Sequence, residues 1–555
     1  MKPTDEQAAI YDAAAPLSQG DILKIMAFAG AGKTTTLKGI AKIKKQRGVY
    51  LVFNAQNAEE AKRKLALTNC TASTTHALAL SAVRHAIGRP TSHTARTVVD
   101  SGIMDRFNIP RVEGWNDYRV AQAVLRTMSA FCNSAATEFN VSHGAESLIS
   151  SVGDPDFIRD RVKKQIARDT IDRLADVLSK MAEEFWKNMA SGGSFSHDMY
   201  LKVIDLDPNL RGQAFGMFRY LMVDEAQDLN PVQRSIILKT GLPVIAVGDP
   251  FQQIYSWRGA ENALAKMEGQ ELYLTQSFRF GEQIAETARQ ILSMRPDGGP
   301  KQRLIGAGSG DTSGHEGAKV AIICRTNSGV IDTALELVRK GKIPHVDNME
   351  GLIKDVRSAQ ALSEGRLRDV SSSELKHFNS WGEMQSEAEE GDGNLARLVS
   401  IVEDGLTQQI ELLSTKQVKD PAKAQYAICT AHRSKGMEWP AVVLGKDWKD
   451  RRQMMGRFLK AKKQSEKHQT LAVEEFNALY VAATRPIYRL EGHDRVINPP
   501  EPEYDEGGYD PRGAEGDRHW QPEIEGDPNA WRRDMMSGVR SLKRDDLEDG
   551  VENHF

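Results

Sequence analysis

Ala27 to Leu37 reads AFAGAGKTTTL, a run of small residues closed by a lysine and three threonines. Small side chains at Ala29, Gly30, Ala31 and Gly32 let successive backbone N–H groups turn inward around a polyanion. A helix starting there adds its own unpaired N–H groups and positive end. In such a loop Lys33 reaches the β and γ phosphates of a nucleoside triphosphate, the Thr34 hydroxyl ligates Mg2+, and Thr35 lies beside it on the first helical turn. The first glycine of the usual phosphate-loop spacing is Ala27 here, a mild departure because the glycines nearest the phosphates remain. A second stretch, LMVDEAQD from Leu221 to Asp228, ends an apolar run in two adjacent carboxylates. Asp224 is placed to hold Mg2+, and Glu225 to orient and deprotonate an attacking water. The two stretches together predict ATP and Mg2+ as cofactors.

A phosphate loop needs a strand before it and a helix after it. ILKIM, Ile22 to Met26, supplies the strand. Further short apolar, β-branched runs recur at Val49 to Phe53, Tyr220 to Val223, Val244 to Val247, Val320 to Cys324 and Ala441 to Leu444. Most are followed by a loop and a helical pattern, which predicts an α/β fold with parallel sheets, in two clusters and hence two domains. Helical periodicity at Tyr118 to Phe131 and Asp160 to Met189 predicts a helical insertion in the first domain. A stretch rich in Glu, Ser, Gly and Asp at 346–420 predicts a small, partly mobile insertion in the second. At 555 residues, two to four domains are expected.

Net charge is -3, yet from Val496 onward seven Lys and Arg face sixteen Asp and Glu, which leaves the remainder at +6. A basic body suits a phosphate backbone. The acidic, proline-bearing tail at 496–555 is expected to be disordered, with Trp520, Trp531 and Phe555 as anchors for a protein partner. Cys70, Cys132, Cys324 and Cys429 stand singly, without metal-type spacing, and read as small core residues in a reducing compartment. No run approaches about 18 apolar residues, so a cytoplasmic protein without membrane association is expected.

Beyond the two nucleotide motifs, the chain resembles the UvrD/PcrA/Rep-like branch of helicase superfamily 1. DEAQD resembles motif II of that branch, and other motifs follow in family order. Gln7 in TDEQAAI resembles the Q motif that reads adenine. VFNAQNAEEA resembles motif Ia and implies Phe53 on DNA, and TTHALA implies a strand-contacting His76. VGDPFQQIYSWRGA is similar to motif III, implying Gln252 at the γ-phosphate and Tyr255, Trp257 and Arg258 facing the single strand. LTQSFRF resembles motif IV, implying Phe278 as a base-stacking residue at the nucleotide and Arg279 on phosphate, and AIICRTN implies a backbone contact from Arg325. TAHRSKGMEWPAVVL resembles motif V, with His432 on DNA and Glu438 near the ribose, and EEFNALYVAATRP resembles motif VI, with Arg485 as arginine finger. AFAG and EEFN are also similar to the F-box DNA helicase subgroup.

The resemblance implies two RecA-like P-loop NTPase domains: 1–88 with 215–268, interrupted by the helical insertion 89–214, and 269–345 with 421–495, interrupted by 346–420. It implies Lys33, Asp224 and Glu225 on one side of ATP, with Arg279 and Arg485 on the other. Single-stranded DNA and single/double-strand junctions are the implied partners. IYSWRGA is the UvrD-like form of motif III and implies 3′-to-5′ movement. Against unwinding stand the short second insertion, which lacks a GIG-type turn, and a post-motif VI segment, IYRLEGHDRVINPP, that is short for a strand-separating hairpin. The leading expectation is an ATP-dependent 3′-to-5′ DNA helicase and single-strand translocase; the alternatives are a protein-displacing translocase with weak unwinding and a DNA-stimulated ATPase switch that recruits partners through its tail.

Overall fold

The computed structural model describes residues 2–52, 55–87, 91–156, 158, 160–192, 194–256, 261–309, 319–372, 374–376, 378, 380–389, 393–421, 423–462 and 466–500. Phe53, Trp257, Arg258 and the tail anchors lie outside these residues. The strands are β1 (Ile22–Ala27), β2 (Gly48–Leu51), β3 (Cys70–Ser73), β4 (Tyr220–Val223), β5 (Val244–Gly248), β6 (Gln270–Leu274), β7 (Gln276–Ser277), β8 (Ile305–Gly306), β9 (Val320–Cys324), β10 (His345–Val346), β11 (Tyr426–Thr430), β12 (Trp439–Leu444) and β13 (Pro486–Glu491).

Six of them form one sheet in the order β3-β2-β4-β5-β1-β6, and five form a second in the order β10-β11-β9-β12-β13. Both are parallel throughout. Parallel strands are covered on both faces, which is why YLMV in β4 and VIAVG in β5 are buried at every position. Parallelism also brings the carboxyl ends of β1, β4 and β5 to one edge of the first sheet, and ligands of such sheets bind at that edge. The predicted α/β class with two parallel sheets is what is found.

Between β3 and β4 the chain is helical. The helix Asp117–Asn133 is capped by Asn116, and Arg161–Ser191 by Asp160. Along the latter, Ala167, Thr170, Leu174, Leu178, Met181, Phe185 and Met189 recur at helical spacing and are buried. Leu174, Leu178, Met181, Phe185 and Met189 close a core of their own with Val124, Phe131 and Leu148. The stretch after β10 carries the helices Met349–Ser363, Trp381–Glu389, Gly393–Glu403 and Thr407–Lys416. Its apolar residues are few but converge: Leu362, Leu375, Phe378, Met384 and Leu395 share one cluster.

The two sheets meet through a core in which Phe28 and Ile254 pack with Ile323, Phe476 and Tyr480. The expectation of a tail from 496 is corrected by two residues: Val496 and Ile497 are 0% and 4% exposed and join that core, because this apolar pair has a cover to pack under. All four cysteines are buried, as their isolation in the sequence suggested. Among the described residues, no helix is long and apolar enough to cross a membrane.

Candidate nucleotide and nucleic-acid site

The loop after β1 needs two backbone conformations that side chains resist. Gly30 and Gly32 have φ of +73° and +77°, in the left-handed region where glycine alone is unpenalised. A Cβ on Gly30 would stand 2.5 Å from Ser277 Oγ and 2.7 Å from Arg279 Cβ, so the close approach of residues 277–279 requires the glycine. The Phe278 N–H donates to Gly30 O at 2.9 Å and seals that approach. Gly32 caps the helix Lys33–Ile43 with no side-chain hydrogen bond, which leaves its first N–H groups to a ligand. Thr34 is half-buried and Thr35 exposed, so of the two Thr34 suits an enclosed cation.

Gln7 and Phe278 flank the same loop. A Cβ on Gly32 would lie 3.6 Å from Gln7 Nε2 and 3.8 Å from a Phe278 ring carbon, and Phe278 is half exposed, with a face open to stacking. Gln7 is held by a capping box with Thr4, and its amide donates to Thr36 Oγ1 at 3.1 Å. Thr36, fully buried, was missed by sequence reasoning because a third threonine in a row carries no separate signal.

At the end of β4, Lys33 Nζ meets Glu225 Oε1 at 2.8 Å. Glu225 has φ +49°, a strained value for a side-chain-bearing residue. That turn aims its carboxylate at Lys33, while Gln227 Nε2 donates to its other oxygen at 2.7 Å. Asp224 accepts from the Tyr50 hydroxyl and from the Glu225 N–H at 3.0 Å. Burial raises the Asp224 carboxyl and the Glu225 charge raises it further, outweighing Lys33. Burial also works to raise Glu225, but Lys33 and then Lys435 overcome it and hold the group low. Two adjacent half-buried carboxylates in contact with a single lysine leave an excess of negative charge. Mg2+ would neutralise it, so Asp224 with Thr34 fits that ion.

The second sheet completes the site. Arg485 is 2% exposed. Its guanidinium donates to Val481 O at 2.8 Å, Thr484 Oγ1 at 3.1 Å and Gln252 Oε1 at 3.4 Å. Burial, then the charge of Arg279, brings its pKa down to about 9. Arg279 pairs with Glu438 at 3.0 Å and donates to Thr484 O at 3.0 Å. Gln252 donates to the fully buried Asp249 at 2.9 Å. The Tyr480 hydroxyl donates to Asp249 at 3.1 Å and accepts the Ala29 N–H at 3.3 Å. Lys33, Asp224, Glu225, Gln252, Arg279, Glu438 and Arg485 are thus gathered around one loop. Sequence reasoning missed Tyr50, which lies in an ordinary strand pattern, and did not single out Asp249 and Tyr480 within the stretches that resemble motifs III and VI.

Of the residues implied on nucleic acid, three are contiguous. The Tyr255 hydroxyl donates to His432 O at 3.3 Å, and the two rings lie 6.0 Å apart. His432 is pushed down to about 4, by burial first and then by Arg325. Arg325 is committed to Glu475 through two bonds of 2.7 Å, not presented outward as a lone cation. Lys435 lies 5.1 Å from the Tyr255 ring centroid, donates to Gln252 O at 2.7 Å and pairs with Asp228 across the two sheets at 2.5 Å. Lys435 was not singled out in the sequence, although it stands between His432 and Glu438. His76 packs edge-on against Tyr200, 6.0 Å between centroids, beside Asp198 and His197.

Residues 9–271 match the UvrD/REP helicase N-terminal domain. The chain is 28% identical over 520 residues to F-box DNA helicase 1 of Gallus gallus, covering 87% of this chain and 48% of that protein. It is 26% identical over 545 residues to F-box DNA helicase protein 1 of Schizosaccharomyces pombe, covering 89% and 57%. ATP-dependent DNA helicase PcrA of Leuconostoc citreum is 30% identical over 126 residues, 20% of this chain and 17% of that one. The chain spans about half the length of the two F-box relatives it matches.

Proposed function

We propose that this chain, whose residues 9–271 match the UvrD/REP helicase N-terminal domain, is an ATP-dependent motor moving 3′-to-5′ on single-stranded DNA. Its setting is repair, recombination, replication or mobile-element conflict. The observation that carries the reading is the contact of Arg485 and Tyr480, from the second sheet, with Gln252, Asp249 and Ala29 of the first. A group bound at the loop is felt by both sheets at once.

ATP with Mg2+ supplies the hydrolysable bond and the positive charge beside it. Thr34 and Asp224 hold the ion, and Gln7 with Phe278 holds the base. Lys33 leaves Glu225 for the phosphates, which frees Glu225 to orient water and take its proton. Arg279 and Arg485 stabilise charge on the far side. Tyr255 and His432 hold the strand beside this junction, with Phe53, His76, Trp257 and Arg258 as further contacts. Base stacking there is worth roughly 1–3 kcal/mol per base and tolerates any sequence.

Translocation with weak unwinding is favoured over strong unwinding. Every strand pairing among the described residues is parallel, and the segment after Arg485 forms β13 and the short helix Asp494–Ile497. A strand-separating β-hairpin is antiparallel, so none stands there.

The test is ATPase activity with and without single-stranded DNA, for the full chain and for Lys33→Ala. Stimulation by DNA, lost in the variant, is expected. ATPase indifferent to DNA would overturn the motor. Duplexes with 3′ or 5′ tails, with Glu225→Gln as control, test direction, and preference for the 5′ tail would reverse the polarity.

A further inference from the structure

The helix Arg451–Lys462, between β12 and the motif VI helix Glu466–Ala483, reads RRQMMGRFLKAK. It has five cations and no acid of its own. Met454 and Ala461 are buried and anchor it, and Arg451, Arg452, Arg457, Lys460 and Lys462 are exposed around the rest of its surface. An exposed helix is normally steadied by mixing signs at positions three and four apart, and like charges there are destabilising. This helix carries like charges only, an arrangement suited to a polyanion.

Its position says which one. Trp448, just before it, donates from its ring nitrogen to Ile323 O at 2.8 Å, which fixes the helix start beside the carboxyl end of β9. Lys449 feels the charges of Arg457, Glu475 and Arg325, and Glu475 in turn feels Arg457 and Lys449. Arg457 and Lys449 therefore lie within charge–charge range of the Arg325–Glu475 pair, and Arg325 within such range of His432, which packs on Tyr255. The exposed cations thus stand beside the candidate strand track, on a helix about 18 Å long at 1.5 Å per residue.

We propose that the helix Arg451–Lys462 is a further phosphate-backbone site for single-stranded DNA, holding the strand just outside the motor cleft. The inference rests on the single-strand motor reading above. A second polyanion competes in principle: the acidic segment 501–555 begins nearby, since Arg452 donates to Pro499 O at 3.2 Å. Proximity to Arg325, His432 and Tyr255 favours DNA as the occupant.

The experiment titrates a fluorescein-labelled oligothymidine with the full chain across a series of salt concentrations. The variant combines Arg451→Gln, Arg457→Gln, Lys460→Gln and Lys462→Gln, leaving Arg452 in place. Each lost phosphate contact lowers the log–log salt slope by about 0.7, so a reduction of roughly two to three is expected, with binding at low salt weakened about tenfold or more. Arg451→Lys with Arg457→Lys keeps the charge and is expected to keep the slope, which separates charge from folding. A wild-type chain that binds DNA and a glutamine variant with the same slope would overturn the proposal. No DNA binding by wild type would instead overturn the motor reading, a distinguishable result. If the helix serves the tail, deleting 501–555 changes binding while the four substitutions in that shortened chain change nothing, which also overturns the proposal.

Discussion

Lys33 and Glu225 hold each other at 2.8 Å, so the lysine that suits phosphate and the carboxylate that suits water keep one another occupied. Glu225→Gln removes the base and keeps a polar partner for Lys33. Nucleotide binding is expected to persist while turnover falls about a hundredfold to ten-thousandfold, the usual worth of a positioned base, as read by filter binding beside phosphate release. The group that titrates near neutrality is a different one. Burial raises Asp228, Lys435 pulls it back, and it settles at about 6. Its unfolded value is near 3.9, so the stability it contributes is present below about pH 4 and lost as pH rises through about 6. The wild-type unfolding free energy is therefore expected to fall relative to that of Asp228→Asn between about pH 4 and about pH 6. In the folded chain the charged Asp228–Lys435 link forms as pH rises through about 6. An acid limb near pH 6 in DNA-stimulated ATPase, absent from Asp228→Asn, is the kinetic counterpart. His432, held near 4, is neutral at pH 7; His432→Ala is expected to weaken DNA binding with no change of salt slope.

Among elements, the helix Glu466–Ala483 bears the connection between the sheets, because Tyr480 on it touches both Asp249 and the Ala29 N–H. Tyr480→Phe keeps the ring in the core and removes both bonds. ATP affinity is expected to change little while stimulation by DNA drops several-fold, measured as the ratio of ATPase rates with and without DNA. Arg325→Ala does something else: it leaves Glu475 buried without its partner, which costs about 3–5 kcal/mol and shows as a lower Tm. These roles divide what the sequence made legible from what it hid. The central strands β1, β4, β5, β9 and β12 were readable because parallel strands covered on both faces are uninterrupted apolar runs. β3 (CTAS), β6 (QELYL) and β13 (PIYRLE) were not, since each lies at a sheet edge and keeps polar residues on its open side. In the site, Lys33, Thr34, Asp224 and Glu225 were legible because phosphate chemistry demands their types at fixed spacing, whereas Gln7, Gln252, Phe278, Arg279, Glu438 and Arg485 were legible only through the family resemblance. Tyr50, Asp249 and Tyr480 were not, since their use depends on which strand or helix lies opposite.

At the scale of the whole molecule, two parallel sheets, each with core clusters of its own, meet through a common cluster, and the loop after β1 lies within reach of side chains from the second-sheet side. On the motor reading proposed above, occupancy of the loop is converted into relative displacement of the sheets, and the displacement acts on whatever Tyr255 and His432 hold. Duplex separation needs something more, a rigid wedge at the junction, and the parallel β13 beside β12 occupies the segment where such a hairpin is expected. Movement is therefore expected to exceed unwinding. Streptavidin on a biotinylated oligonucleotide separates the two, because stripping it requires force along a single strand and no base-pair opening. With 3′-to-5′ movement, ATP should accelerate release of streptavidin from the 5′ end and leave the 3′ end near its spontaneous rate, while a 3′-tailed duplex of similar length opens slowly. Rapid duplex opening without faster streptavidin release would show that the wedge lies elsewhere in the chain and that force along the strand is not the principal output.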